Sequence, residues 1–194
     1  MILVNGDIEN CEELTAGLTQ EVHTFGLSEH CEFHPADISF NEKACATFTA
    51  MQGNTKLLTV TLNIPGMHNV CNALAAIALC LELGISKEAI AAGLLAFGGA
   101  DRRFQYKGSF DGVTVIDDYA HHPTEIAATL TAAANYPHKR LILAFQPHTY
   151  SRTKAFLDDF ARVLSAADVV VLADIYAARE KNTYGISSKD LLEK

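Results

Sequence analysis

The stretch VTVIDDYAHHPTEIAATLTAAA, Val113 to Ala134, changes character in its middle. Val113 to Ile116 is a short apolar run of strand length, and Pro123 opens a helical pattern that runs to about Ala134. Proline suits the first helical turn because its missing N–H is harmless there, and Glu125 adds a first-turn carboxylate that favours the helix dipole. Moving outward, the same alternation repeats. Leu141 to Phe145 reads as a strand, about Arg152 to Leu164 as a helix, Val169 to Ala173 as a strand, and SSKDLLEK, from Ser187, as the start of another helix. Apolar strands separated by amphipathic helices predict an α/β fold with a doubly wound parallel sheet. In such sheets ligands bind beyond the carboxyl ends of the strands.

Each of these strands ends in polar residues that the fold does not require. Asp117, Asp118, Tyr119, His121 and His122 follow the first, Gln146, His148 and Arg152 the second, and Asp174 and Tyr176 the third. Capping is the structural alternative for any one of them, but the whole set along one sheet edge points to a site. Two adjacent carboxylates repel unless each faces its own partner, so one division gives Asp118 the hydroxyls of a sugar and anchors Asp117 to the backbone. Arg152, near the first turn of its helix, can fork a carboxylate or a phosphate where backbone N–H groups already favour an anion.

Residues 1 to 64 read differently, as short β segments: Ile2 to Val4, Val22 to Phe25, Ile38 to Phe40, Ala46 to Met51 and Leu57 to Ile64, with a helix from Cys11 to about Leu18. After Pro65-Gly66 comes HNVCNALAAIALCLELG, whose Val70, Leu74, Ile77 and Leu81 fall at helical spacing before the stop at Gly84. Asn69 and Asn72 share a face at its start, as polar readout or as a cap beside a surface residue. Ser86 N-caps a second helix, KEAIAAGLLAF, which ends at Gly98-Gly99. That glycine pair marks a boundary between domains 1–99 and 100–194, with Arg102-Arg103 just beyond it and expected to meet phosphate or ribose.

Composition narrows the function classes. Of 194 residues, 49% are hydrophobic, enough for an ordinary core. With 15 basic residues against 23 acidic ones and a net charge of −8, nucleic acid and anionic membranes are not expected partners. The longest apolar run, Ala73 to Leu81, is too short to span a bilayer, and the acidic N-terminus is no signal peptide, so a cytoplasmic location is expected. The five cysteines form no C-x-x-C pair and read as reduced thiols. His30, Cys31 and His34 are the one metal-like cluster, without a second pair at ligand spacing.

Five segments, GMHNVCNALAAIA (66–78), GADRRF (99–104), VIDDYAHHPTEI (115–126), FQPHTYSRT (145–153) and DVVVLADIYAARE (168–180), resemble in order those of the Mur ligase family. Within it, DDYAHHPTE resembles the branch that adds L-alanine to UDP-N-acetylmuramate; the muropeptide-adding branch is expected to carry DDFAHHPT. The resemblance implies a remnant of a central ATPase-domain sheet with helices, followed by a Rossmann-like, parallel-sheet C-terminal domain that brings the amino acid. It implies transfer of the ATP γ-phosphate to the muramyl carboxylate, with Mg2+, and attack of the L-alanine amine on the acyl phosphate, in peptidoglycan synthesis. By match of position, Asn69, Asn72, Arg103 and Asp118 contact the nucleotide, and Tyr119, His121, His148 and Arg152 hold the alanine. No residue here is assigned to the catalytic step itself. Many members carry arginine where this chain has Thr149, which leaves more of the alanine carboxylate to Arg152.

The chain contains no G-x-x-x-x-G-K-[ST] phosphate loop. The resemblance therefore implies that it begins inside the central domain, that its last domain is cut short, that the magnesium ligands lie elsewhere, and that the piece alone is inactive. Two other readings stand beside this one. Asp117, Asp118, His121 and His122 could bind one or two metals in a hydrolase, or the chain could be a binding module without catalysis.

Overall fold

The computed structural model describes all 194 residues and divides them into two compact units, Met1–Ala100 and Asp101–Lys194. The first unit is built on a five-stranded sheet in sequential order: β1 (Ile2–Asn5), β2 (Val22–Phe25), β3 (Phe33–Phe40), β4 (Cys45–Gln52) and β5 (Thr55–Pro65). β1, β2 and β3 run parallel, and β3 to β5 form an antiparallel meander. Helix α1 (Cys11–Thr15) makes the β1–β2 crossover and is shorter than expected, giving way before the left-handed Gly17.

Helix α2 (Met67–Glu82) lays Val70, Leu74 and Ile77 on the sheet, each fully buried among Phe48, Val60 and Leu62. Each such side chain contributes about 1.5–3 kcal/mol by leaving water. Helix α3 (Lys87–Ala96) packs on β5, and Ser86 caps it as expected, its hydroxyl accepting from the Ala89 N–H at 3.3 Å.

β3 begins five residues earlier than its apolar pattern suggests. Pro35 and a bulge between Ala36 and Ser39, with Asp37 at φ 53°, hide its period. The proline is tolerated because β2 pairs with β3 only at Phe25–Phe33 and leaves that side of Pro35 unladdered.

The second unit is α/β, as expected, but its strand pairing differs from one continuous doubly wound sheet. β7 (Val113–Asp117) is the second arm of an antiparallel hairpin with β6 (Gln105–Phe110), a strand not anticipated from sequence. Asp111 and Gly112, at φ 46° and 79°, form its two-residue turn. β8 (Ile142–Phe145) and β9 (Val169–Leu172) form the parallel pair.

Helix α4 (Pro123–Ala134) follows β7. The helix expected from Arg152 starts earlier and is broken at Phe156 into α5 (Tyr150–Ala155) and α6 (Leu157–Leu164); α7 (Ser188–Leu192) ends the chain. Ile126, Leu130, Phe145, Phe160, Val163, Leu164 and Leu191 form the core, with the Phe145 and Phe160 rings 5.5 Å apart. No helix is long and apolar enough to cross a membrane.

Candidate amino-acid and nucleotide site

The segment after β7 is fixed from both sides. Asp118 accepts hydrogen bonds from the Phe104 N–H (2.8 Å) and the Ala120 N–H (2.7 Å), and the Tyr119 N–H donates to the Arg102 carbonyl at 2.7 Å. The loop Asp101–Phe104 is thereby held against the strand end, with Arg102 and Phe104 in left-handed conformations. This reverses the expected division of labour between the two aspartates. The backbone anchor is Asp118, while Asp117 lies 3.7 Å from the Arg102 guanidinium.

His122 turns out to be an N-cap. Its Nδ1 accepts from the Thr124 N–H at 3.3 Å, and its ring meets Phe156 edge-on at 4.7 Å. Glu125 completes the capping box by accepting from the N–H groups of His121 (3.0 Å) and His122 (3.3 Å). Partial burial works against the Glu125 carboxylate, but the His121 N–H, the His121 ring, the His122 N–H and Arg103 together hold it below the ordinary range.

What remains is a row of rings. Tyr119 and His121 stand 5.2 Å apart, His121 and His148 6.0 Å, and His148 and Tyr176 5.5 Å. Arg102 stacks on the Tyr119 ring at 4.6 Å, and Arg152 reaches within 3.4 Å of His148 Nδ1. His121 Nδ1 faces the Tyr119 carbonyl at 2.8 Å, which fixes its ring. Two guanidinium groups thus flank a half-exposed strip of imidazole and phenol. Such a surface suits a small zwitterion, the arginine taking a carboxylate and the rings offering hydrogen bonds to an amine.

Of the residues expected at the site, Tyr119, His121, His148 and Arg152 come together. Arg103, 53% exposed at its side chain, lies 3.9 Å from Glu125 and is open to an anion. Asn69 and Asn72, in the first unit, meet each other: Asn72 Nδ2 donates to Asn69 Oδ1 at 3.3 Å, and Asn69 Nδ2 donates to the Pro65 carbonyl at 2.8 Å. Asn69 is therefore partly a helix-start residue, while Asn72 is exposed.

One expectation fails in detail. The first-turn N–H groups of α5 do not await a ligand, because Glu180 Oε2 accepts from the Ser151 N–H at 2.9 Å and Thr149 Oγ from the Arg152 N–H at 3.4 Å. At this helix start only the Arg152 guanidinium, and not these two backbone N–H groups, is available to an anion. Glu180, which the sequence reading passed over, lies in an irregular loop with no local pattern to announce it.

The metal reading of Asp117, Asp118, His121 and His122 also loses its geometry, since each group is turned to a different partner. The trio of His, Cys and carboxylate groups that does converge is Asp7, His30 and Cys31, within 4.8 Å. His34 stays apart, its Nδ1 held 2.9 Å from the Cys31 carbonyl. Asp7 is occupied as a turn anchor for the Leu27 N–H, and burial pushes the Cys31 thiol up to about 11.

The family model of the Mur ligase middle domain matches residues 1–80, and that of the Mur ligase glutamate ligase domain matches residues 102–194. The chain belongs to the Mur ligase family. Among curated Mur ligases, the UDP-N-acetylmuramate–L-alanine ligase of Agathobacter rectalis is 65% identical over 191 residues, covering 98% of this chain and 42% of that protein. The enzyme of the same name from Lachnospira eligens is 53% identical over 194 residues, again with 42% of its length covered. The crystal structure of the UDP-N-acetylmuramate–alanine ligase of Thermotoga maritima matches with a TM-score of 0.74 and 30% identity, over 91% of this chain and 38% of that one. The chain thus spans about two fifths of the length of the Mur ligases it matches.

Proposed function

We propose that this chain forms the later part of an ATP-dependent, cytoplasmic ligase that joins L-alanine to UDP-N-acetylmuramate in peptidoglycan synthesis. The observation that carries the reading is the convergence of Tyr119, His121, His148 and Arg152, from two segments nearly thirty residues apart, in the unit matched by the Mur ligase glutamate ligase model. Names shared by close relatives supply the substrate.

In this reading Arg152 takes the alanine carboxylate, and the Tyr119–His121–His148 strip orients the amine toward an acyl phosphate. Arg103 reaches for the nucleotide. Asp118 contributes by shaping the loop that carries Arg103, and keeps lone pairs for a ribose hydroxyl beyond its two backbone bonds. Asn69 and Asn72 are proposed as nucleotide contacts through the hydrogen-bonding capacity left beyond the Asn69–Pro65 and Asn72–Asn69 bonds. The chemistry rests on positioning and charge stabilisation rather than on a nucleophile of the protein.

ATP and Mg2+ are the implied cofactors. The carboxylates of Asp117, Asp118, Glu125 and Glu180 are each engaged, with arginine, backbone N–H groups or serine, and none of these four is proposed as a magnesium ligand. In the full-length protein, Arg152→Ala is expected to raise the KM for L-alanine by about 10- to 100-fold, the loss of a charge-assisted hydrogen bond, with the KM for ATP little changed. An unchanged alanine KM removes Arg152 from the carboxylate site.

A further inference from the structure

Three of the site residues, His148, Arg152 and Tyr176, depend on two irregular loops lying together. The loops are laced by backbone: the Thr149 N–H donates to the Tyr176 carbonyl and the Tyr176 N–H to the Pro147 carbonyl, both at 2.9 Å. Gln146 Nε2 adds a bond to the Asp174 carbonyl at 3.1 Å. Farther along, Glu180 grips the start of α5 with both oxygens, accepting from the Ser151 N–H at 2.9 Å and from the Ser151 hydroxyl.

α5 needs such a grip. It is six residues long, too short to persist by its own helical hydrogen bonds, and it springs from Thr149, a β-branched residue at φ 71° and ψ 144°. Its one buried side chain is Thr153, whose hydroxyl also turns back to the Thr149 carbonyl at 2.7 Å.

We infer that Glu180 is a positioning residue for the amino-acid subsite: by clamping Ser151 it fixes the first turn of α5 and so the placement of His148 and Arg152. This rests on the proposed function for the identity of the ligand. The carboxylate does not compete for Arg152, because its oxygens are spent on Ser151 while the guanidinium turns to His148. The hydroxyl of Ser151 is the largest influence holding the Glu180 pKa below the ordinary carboxylate range, followed by the Ser151 N–H, so the clamp is ionised at neutral pH.

The test uses the full-length enzyme with Glu180→Ala, Glu180→Gln and Ser151→Ala. Glu180→Ala is expected to raise the KM for L-alanine about tenfold or more while the KM values for ATP and UDP-N-acetylmuramate stay within about twofold. Glu180→Gln, which keeps one acceptor, restores part of the loss, and Ser151→Ala, which keeps the backbone bond, shows a smaller rise. Hydrogen exchange at the Ser151 amide reads the clamp without any substrate and is expected to accelerate about tenfold or more in Glu180→Ala.

A rise in all three KM values together, or unchanged exchange and unchanged alanine KM, overturns the inference. If Glu180→Ala does not fold, the Gln and Ser151 variants decide by the same readouts. If the wild-type enzyme makes no product with L-alanine, the functional reading fails, and the exchange measurement alone then judges the clamp.

Discussion

Adjacent aspartates of the same strand end are expected to differ sharply in what they do for stability. Asp118 is half-buried and accepts two backbone N–H groups at 2.8 and 2.7 Å, tying β7 to the loop at Phe104. Each bond to a charged acceptor contributes about 1.5–3 kcal/mol when well buried. Partial exposure lets water replace some of it, so Asp118→Ala is expected to cost about 2–3 kcal/mol in all. In a unit of this size that is a fall of roughly 10–20 °C in Tm. Asp117 instead makes an ion pair at 3.7 Å with Arg102, whose side chain is 58% exposed, and Asp117→Ala is expected to cost no more than about 1 kcal/mol. Thermal and urea denaturation of the two variants, followed by circular dichroism, gives the comparison. Asp118→Asn should resemble Asp118→Ala, because an amide can accept one N–H but sets its own donors against the other. Equal Tm values for Asp117→Ala and Asp118→Ala, or a loss confined to Asp117→Ala, would refute the assignment of Asp118 as anchor. The same result bears on activity, since a fall in ATP use by Asp118→Ala speaks for nucleotide contact only after its fold has been measured.

Other expectations follow from single features. Thr149→Gly should be more stable than Thr149→Ala by about 1–2 kcal/mol in chemical denaturation, because Ala keeps the strained Cβ and loses the cap, whereas Gly relieves the strain; the greater flexibility of unfolded Gly trims the difference. Glu125 has its native carboxyl held below the ordinary 4.5, so its stabilising contribution is complete above that value and is lost as pH falls through the lowered native value. Glu125→Ala should therefore flatten the acid limb of a stability–pH curve, and an unchanged limb counts against the capping box. Cys31, 1% exposed with its thiol raised to about 11, should stay unalkylated at pH 8 in the folded protein and react only on denaturation, as read by mass spectrometry.

Much of the fold was legible because local signals agreed. Val70, Leu74 and Ile77 at helical spacing placed α2, the Ser86 cap placed α3, and the runs at Leu141–Phe145 and Val169–Ala173 gave the parallel pair. β6 was missed because Gln105–Phe110 is polar and exposed on both faces, with no alternation to read. Its signal was the Asp111-Gly112 turn beside it, a dipeptide that favours the left-handed conformations a two-residue hairpin needs. The helix break at Phe156 left no mark in the sequence either, since its ring is apolar like a core residue and faces His122 rather than continuing the turn.

In the candidate site, the side chains that lie together were more legible than the contacts each one makes. Tyr119, His121, His148 and Arg152 were singled out by lying just beyond strand ends, and they do converge. The exchange of roles between Asp117 and Asp118 could not be read, because it depends on where the Asp101–Phe104 loop lies. Glu180 could not be read because its partner, Ser151, is 29 residues away.

The central claim is that the strip of Tyr119, His121, His148 and Arg152 serves an L-alanine ligase. Its most direct test is product identification by mass spectrometry after incubating the full-length protein with UDP-N-acetylmuramate, ATP, Mg2+ and L-alanine, omitting each in turn. The account predicts UDP-N-acetylmuramoyl-L-alanine with equimolar ADP and phosphate only when all four are present; product formed from a preformed peptide but not from L-alanine, or ADP released regardless of the amino acid, would contradict it.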